Sequence, residues 1–69
     1  MFSETYEITF YNKEGRVDSV QQYRNEKEAR RSLALFHDPI SVEMYSKITF
    51  SKTEWRPDAI STILDTFVF

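Results

Sequence analysis

The fold is decided by residues 5–23, which read TYEITFYNKEGRVDSVQQY. Apolar and polar side chains alternate at the start of this stretch with the period of two that is typical of a half-buried strand, and the apolar positions are Tyr6, Ile8 and Phe10. The segment Asn12–Gly15 predicts a turn, because Asn favours its first position and Gly takes a positive φ at its end. The stretch therefore predicts a β-hairpin with strands at Thr5–Tyr11 and Arg16–Tyr23.

The hairpin loop has two possible lengths. A three-residue loop pairs Asn12 with Arg16, whereas a four-residue loop pairs Tyr11 with Arg16, and the side chains that share a face change accordingly. We favour the four-residue loop, because the shorter loop places Asp18 beside Phe10. The residues that the favoured loop places on the face of Tyr6, Ile8 and Phe10 are Val17, Ser19, Gln21 and Tyr23.

A helix is predicted after the hairpin, from Asn25 to about His37. Asn25 and Glu28 have the spacing of a capping box, in which the Asn side chain accepts from an early helical N–H and the Glu side chain reaches back to the cap. The pair Asp38-Pro39 ends the helix, because proline disfavours helical geometry in the residue before it and lacks the next N–H donor.

The predicted helix has an apolar and a polar side. Ala29, Leu33 and Phe36 lie at i, i+4 and i+7, which is the spacing of a single helix face. Glu26 and Arg30 lie four residues apart on the other side, where they form a favourable ion pair. We therefore expect Leu33 and Phe36 to pack against the sheet.

Residues 40–55 predict one long or bulged strand from Ile40 to Trp55. Its apolar side chains alternate with polar ones and stand at Val42, Met44, Ile48 and Phe50. Only Ser46 and Lys47 are polar enough for a bend, and no glycine turn signal accompanies them. One strand is therefore favoured over two.

The C-terminal segment has two interpretations. Its large apolar residues recur at the helical spacing i, i+3, i+4 and i+7, namely Ile60, Ile63, Leu64 and Phe67, after the helix start Arg56-Pro57-Asp58. An alternation from Ile60 to Val68 also fits a strand. We favour the helix. The predicted fold is thus a single α+β domain over residues 1–69, with an antiparallel sheet, one helix packed on it and a C-terminal helix.

The composition argues against several classes of function. Sixty-nine residues without cysteine leave neither disulfides nor the usual Cys/His zinc site to support a small core. The net charge of −2 argues against a general nucleic-acid binder. No apolar stretch approaches the ~20 residues that span a bilayer. We expect a cytoplasmic protein with no cofactor, no metal and no membrane partner.

No catalytic constellation is evident. His37 is the one side chain whose ordinary pKa lies near neutrality, and its predicted place in the last helical turn suits a cation beside the helix dipole. Neither Glu26 with Glu28 nor Glu54 with Asp58 has the spacing or the predicted burial of a catalytic pair. The sequence therefore predicts a protein that is not an enzyme.

A basic cluster around the first helix supports an alternative function. It consists of Arg24, Lys27, Arg30 and Arg31. Four cations can track phosphates while aromatic rings on a sheet stack on unpaired bases. Glu26 and Glu28 neutralise the cluster, however, and a solvated helix face is the favoured interpretation. A nucleic-acid-associated regulator remains the alternative.

A surplus of apolar side chains favours binding to protein. Hydrophobic residues make up 41% of the chain, and one sheet face cannot cover so many apolar side chains. The sequence also ends in Phe-Val-Phe. Tyr11, Tyr45 and Trp55 have the strand parity of the other sheet face, and aromatic residues are enriched at binding hot spots. The predicted interaction residues are Tyr11, Tyr45, Trp55, Ile63, Leu64, Phe67 and Phe69.

The sequence thus predicts a small accessory or regulatory protein that acts by protein–protein contact, with inhibitors of the phage or mobile-element type as the size-matched class. Its partner has no signature in the sequence. Self-association as a homodimer is expected, because a second copy supplies the core that 69 residues lack. The same apolar surface would then meet its own copy about a two-fold axis.

Overall fold

In a computed structural model of the chain, described for residues 3–36, 39–55 and 58–69, the protein has a small α+β fold. The strands are β1 (Ser3–Asn12), β2 (Val17–Tyr23), β3 (Tyr45–Trp55) and β4 (Ala59–Val68), and the helices are α1 (Glu26–Leu35) and α2 (Pro39–Met44). All neighbouring strands are antiparallel and their order is β2-β1-β3-β4. β2 and β4 are therefore the two edges of the sheet.

The core lies between α1 and the two central strands. Its buried side chains are Ile8, Phe10, Ile48 and Phe50 from β1 and β3, and Ala29 and Leu33 from α1. Phe36 completes it, with its ring centroid 4.7 Å from that of Phe10 in an edge-to-face arrangement. The prediction that Leu33 and Phe36 belong to the core is confirmed. Each buried large apolar side chain contributes about 1.5–3 kcal/mol.

The hairpin has the three-residue loop, so the favoured four-residue register is wrong at the turn. The N–H of Asn12 donates to the carbonyl of Arg16 at 2.8 Å, and Gly15 takes a φ of 81°. The Asn12 side-chain oxygen accepts from the N–H groups of Glu14 and Arg16 at 3.0 Å, which holds this tighter loop.

A bulge then corrects the side-chain alternation along β2. Tyr11 pairs with Val17 but Phe10 pairs with Ser19, so Asp18 is the extra residue. Ser19, Gln21 and Tyr23 consequently share the face of the core strands, as predicted, whereas Val17 shares the face of Tyr11.

Helix α1 starts where the sequence indicates. The Asn25 side chain accepts from the N–H groups of Lys27 and Glu28 at 2.8 and 3.3 Å. Arg30 lies 3.5 Å from Glu26, as the i, i+4 spacing predicts. The helix ends at Leu35, and the predictions for His37 and Asp38 lie outside the described residues.

The prediction of a strand from Ile40 onward is wrong for its first five residues, which belong to α2. β1 already ends at Asn12, opposite Tyr45, so a strand over residues 40–44 has no neighbour with which to pair. Pro39 is the first residue of α2, a position that proline tolerates. Lys13 in the hairpin loop donates to the carbonyl of Val42 at 2.8 Å.

The predicted C-terminal helix is wrong, because the segment forms β4. Its residues pair with β3 from Ala59 opposite Trp55 to Val68 opposite Lys47. One irregularity interrupts the ladder, where Leu64 is the extra residue between Ile63 and Asp65. The long antiparallel ladder outweighs the modest helix propensity of a segment rich in Ser, Thr and Ile. The proposed helix start at Arg56-Pro57 lies outside the described residues.

Candidate functional site

The sheet face opposite α1 is the one that we call the open face. It carries two rows of hydroxyl side chains that lie directly opposite one another across β1, β3 and β4. One row is Thr9, Thr49 and Thr66, and the other is Thr5, Thr53 and Ser61. Thr49 and Thr53 are only 5% and 7% exposed, although α1 lies on the opposite face. The open face is therefore lined by hydroxyl groups and is not predominantly apolar.

Hydrogen bonds within the open face satisfy much of its polarity. Thr53 and Ser61 share a hydroxyl–hydroxyl bond of 2.9 Å. The indole N–H of Trp55 donates to the Thr5 hydroxyl at 2.8 Å, and Thr5 in turn donates to one oxygen of Glu7 at 2.8 Å. The second oxygen of Glu7 is buried, and it is the one buried side-chain polar atom without a hydrogen-bond partner among the described residues. The hydroxyl row of Thr5, Thr53 and Ser61 is thus hydrogen-bonded within the face, whereas one carboxylate oxygen of Glu7 is not.

The β4 edge is the outer side of Ala59–Val68, where no described strand pairs with β4. Alternate residues of an edge strand present unpaired backbone N–H and C=O groups along it. Large apolar side chains accompany them: Ile60, Ile63, Leu64 and Val68 are 49%, 65%, 37% and 75% exposed. Asp65 is the only charged residue of the strand. The β4 edge therefore combines unpaired backbone with exposed apolar side chains.

Three of the predicted interaction residues lie on or beside the open face. Tyr11 lies there with the Lys47 ammonium 4.3 Å from its ring centroid. Trp55 is 45% exposed at the opposite end, and Ile63 lies opposite Ser51 on the same face. The ring of Trp55 borders an open cleft of about 680 Å³, lined also by Glu4, Thr5, Gln22, Tyr23 and Arg24.

Two predicted interaction residues lie on the helix side instead. The Tyr45 ring centroid is 4.9 Å from that of Phe10, so the prediction that Tyr45 points from the other face is wrong. Its parity is reversed by a bulge at Ser46, because Tyr11 pairs with Lys47 but Asn12 pairs with Tyr45. Phe67 also packs against the core.

The remaining two, Leu64 and Phe69, lie near the β4 edge. Leu64 is the bulge residue of β4. Phe69 is 38% exposed and its N–H donates to the carbonyl of Ser46 at 3.0 Å, so the end of the chain stays bound to β3. The predicted interaction residues omit Ile60, although it is 49% exposed. They also omit the apolar surface around α2, where Leu35, Ile40, Val42 and Met44 are exposed.

The basic cluster is divided by the structure. Arg30 lies 5.0 Å above the Phe50 ring and bridges Glu26 and Asp65 at 3.5 and 3.9 Å. Arg24 lines the cleft beside Trp55. Lys27 and Arg31 remain exposed one helical turn apart on α1. Arg30 and Arg24 therefore contact other groups of the protein, and only Lys27 and Arg31 remain for phosphate contacts. This weakens the hypothesis that the cluster tracks phosphates.

A small charge network lies on the helix side of the sheet. The Lys52 ammonium is 3.4 Å from Glu54 and 3.9 Å from Glu4. The hydrogen bond to Glu54, together with the charge of Glu4, raises the pKa of Lys52 above its ordinary value of 10.5. Burial, followed by the nearby Glu4, raises the pKa of Tyr6 above its ordinary value. Both shifts favour the protonated forms and give neither group a catalytic pKa near neutrality.

Within residues 3–36, 39–55 and 58–69, no three His, Asp or Glu side chains converge as a metal site requires. Neither helix in this described part of the chain is long and apolar enough to cross a bilayer. No family model, curated protein or solved structure matches the chain.

Proposed function

We propose that this chain is a small non-enzymatic accessory or regulatory protein that acts by protein–protein contact and does so as a homodimer. The class includes inhibitors of the phage or mobile-element type, which have this size. We propose the cytoplasm as its compartment. Disulfides do not persist there, so a chain without cysteine loses no stabilisation in that compartment.

The observation that carries the proposal is the β4 edge. A long apolar edge strand without a neighbour is a template for pairing with another strand, and natural sheets usually blunt such edges with lysine, proline, a bulge or a covering element. Of these devices, β4 has a single bulge, at Leu64. Residues 59–68 contain neither lysine nor proline. An apolar edge retained in a folded protein supports a role in binding.

The test is sedimentation equilibrium of the full chain at micromolar concentration. We expect a reversible dimer, because burial of the β4 edge stabilises the associated form. Ile63→Lys places a charge at the centre of the edge and is expected to give a monomer that remains folded by circular dichroism. Val20→Lys is the matched control on the other edge strand, where the side chain is 54% exposed, and it is expected to leave the dimer intact.

A strictly monomeric chain with a concentration-independent unfolding midpoint contradicts the homodimer. For the heterologous partner, affinity capture with the unaltered chain, Ile63→Lys and Val20→Lys separates the β4 edge from the rest of the surface. Retention on heparin at low salt, reduced by charge reversal at Lys27 and Arg31, would instead support the nucleic-acid-associated regulator.

A further inference from the structure

The bulge at Leu64 divides β4 into two halves whose side-chain alternation is out of phase. Ser61 lies on the open face, since it pairs with Thr53, and Thr66 lies on the same face, since it pairs with Thr49. Ser61 and Thr66 are five positions apart, whereas residues that share a face of a regular strand are an even number of positions apart. The bulge therefore shifts the alternation by one residue at the middle of the strand.

This shift decides how β4 can pair with a second copy of itself. Two-fold antiparallel pairing in one continuous sheet requires residues of the same face to lie opposite each other. In one register, the first half of each β4 strand lies along the second half of the other. Because the two halves are out of phase, residues of the same face then lie opposite each other over the whole strand. The resulting cross-strand partners are Ala59 with Val68, Ile60 with Phe67, Ser61 with Thr66 and Thr62 with Asp65.

These partners are chemically complementary. On the helix side, Ile60 meets Phe67, two apolar side chains. The hydroxyls of Ser61 and Thr66 meet on the open face, and the Thr62 hydroxyl can donate to the Asp65 carboxylate. Cross-strand pairs of these kinds stabilise sheets, whereas like charges directly opposite each other destabilise them. Because Asp65 is the only charge of β4, this register brings no like charges into direct opposition.

The length of the strand also suits a dimer. Ten residues of β4 extend about 34 Å. With the 16 Å smallest extent of the molecule as the greatest depth of this edge, the edge amounts to at most about 540 Å² per copy, or about 1,100 Å² in total, which corresponds to a small interface. A register that pairs only one half of the strand with itself covers about half of that area.

We propose that the protein dimerises by joining two β4 strands antiparallel about a two-fold axis between Ile63 and Leu64, so that two four-stranded sheets become one of eight strands. This inference rests on the proposed function, since it specifies the homodimer. The two bulges meet at the axis. On each side of the axis, regular pairing extends from Ala59 to Thr62 of one copy and from Asp65 to Val68 of the other.

Disulfide trapping tests the register, because the chain has no cysteine of its own. Directly opposed residues have Cα atoms about 4.5–5.5 Å apart, within the range that a disulfide bridges. An equimolar mixture of the Ser61→Cys and Thr66→Cys chains is expected to give a cross-linked heterodimer on mild oxidation. Ala59→Cys with Val68→Cys is a second pair for the same register, in case the first disturbs folding.

Two controls separate register from random collision. Ser61→Cys alone is expected to cross-link at least tenfold more slowly than the mixture, because the two copies of residue 61 lie about 17 Å apart. Thr62→Cys mixed with Thr66→Cys is expected to remain uncross-linked, because these side chains lie on opposite faces.

A chain that sediments as a dimer but cross-links at neither residue pair overturns this register and leaves the proposed function standing. A chain that sediments as a monomer overturns both the register and the homodimer. Cross-linking of Ser61→Cys alone at the rate of the mixture also overturns the register, because it places the axis at residue 61.

Discussion

The two edges of the sheet occupy equivalent positions, yet their chemistry differs. β2 places Asp18 in its bulge and carries Gln21 and Gln22 beside the exposed Val17 and Val20, so its surface is mixed. β4 places Leu64 in its bulge and exposes Ile60 and Ile63. A bulge disturbs strand pairing at an edge, and a charged bulge residue adds to this protection whereas an apolar one does not. The β2 edge is therefore the better protected of the two.

The largest expected effect concerns the core between α1 and the central strands β1 and β3. Leu33→Ala removes a side chain that is 6% exposed and should lower the free energy of unfolding by about 2–5 kcal/mol in chemical denaturation. Leu35→Ala, in the same helix but 70% exposed, is the matched control and should change it by less than about 0.5 kcal/mol. Equal denaturation midpoints for the two variants would contradict a core between α1 and the sheet.

The next effect exchanges the character of the two bulges. Leu64→Asp gives β4 the bulge residue of β2 and should weaken self-association at least tenfold, or by about 1.4 kcal/mol, in sedimentation equilibrium. Asp18→Leu gives β2 the bulge residue of β4 and should add species larger than a dimer, because both edges then accept partners. If neither substitution changes the distribution of species, the bulge residues do not govern edge pairing.

The smallest expected effect is a pH dependence on the helix side of β1 and β3. Lys52 has a raised pKa in the folded state, so its contribution to stability is complete below its ordinary pKa of 10.5 and is lost as the pH rises through the higher folded value. Tyr6 acts in the same direction at alkaline pH. In urea unfolding, Lys52→Met should show a shallower alkaline loss of stability than the unaltered chain. Lys27→Met on α1 is the control and should keep the original slope.

Much of the local structure could be predicted from the sequence. The alternation around Ile8 identified β1, the Asn25 cap identified the start of α1, and the helical spacing of Ala29 and Leu33 identified its buried face. These features depend on neighbours within a few residues of one another. The local sequence pattern is therefore sufficient to predict them.

The errors arose at bulges and at strand partners, which local patterns do not specify. A strand with a bulge at Leu64 places Ile60 and Phe67 on one face and Ile63 on the other, which imitates the spacing of a helix. The bulge at Ser46 similarly reversed the predicted side of Tyr45. In the candidate site, the sequence indicated the apolar C-terminal segment but not that it forms an edge, because strand order is a property of the whole fold.

The strand order also has a consequence for how the chain folds. β1 with β2 and β3 with β4 are hairpins whose partners are close in sequence, but the central seam pairs Ser3 with Trp55, about 50 residues apart. Hairpins form in microseconds, whereas contacts of long sequence separation slow folding because the intervening chain must first be ordered. We therefore expect the two hairpins to form early and their docking along β1 and β3 to limit the folding rate. Until that docking is complete, both strands of the C-terminal hairpin have exposed edges, and this short-lived state is the one most prone to aggregate.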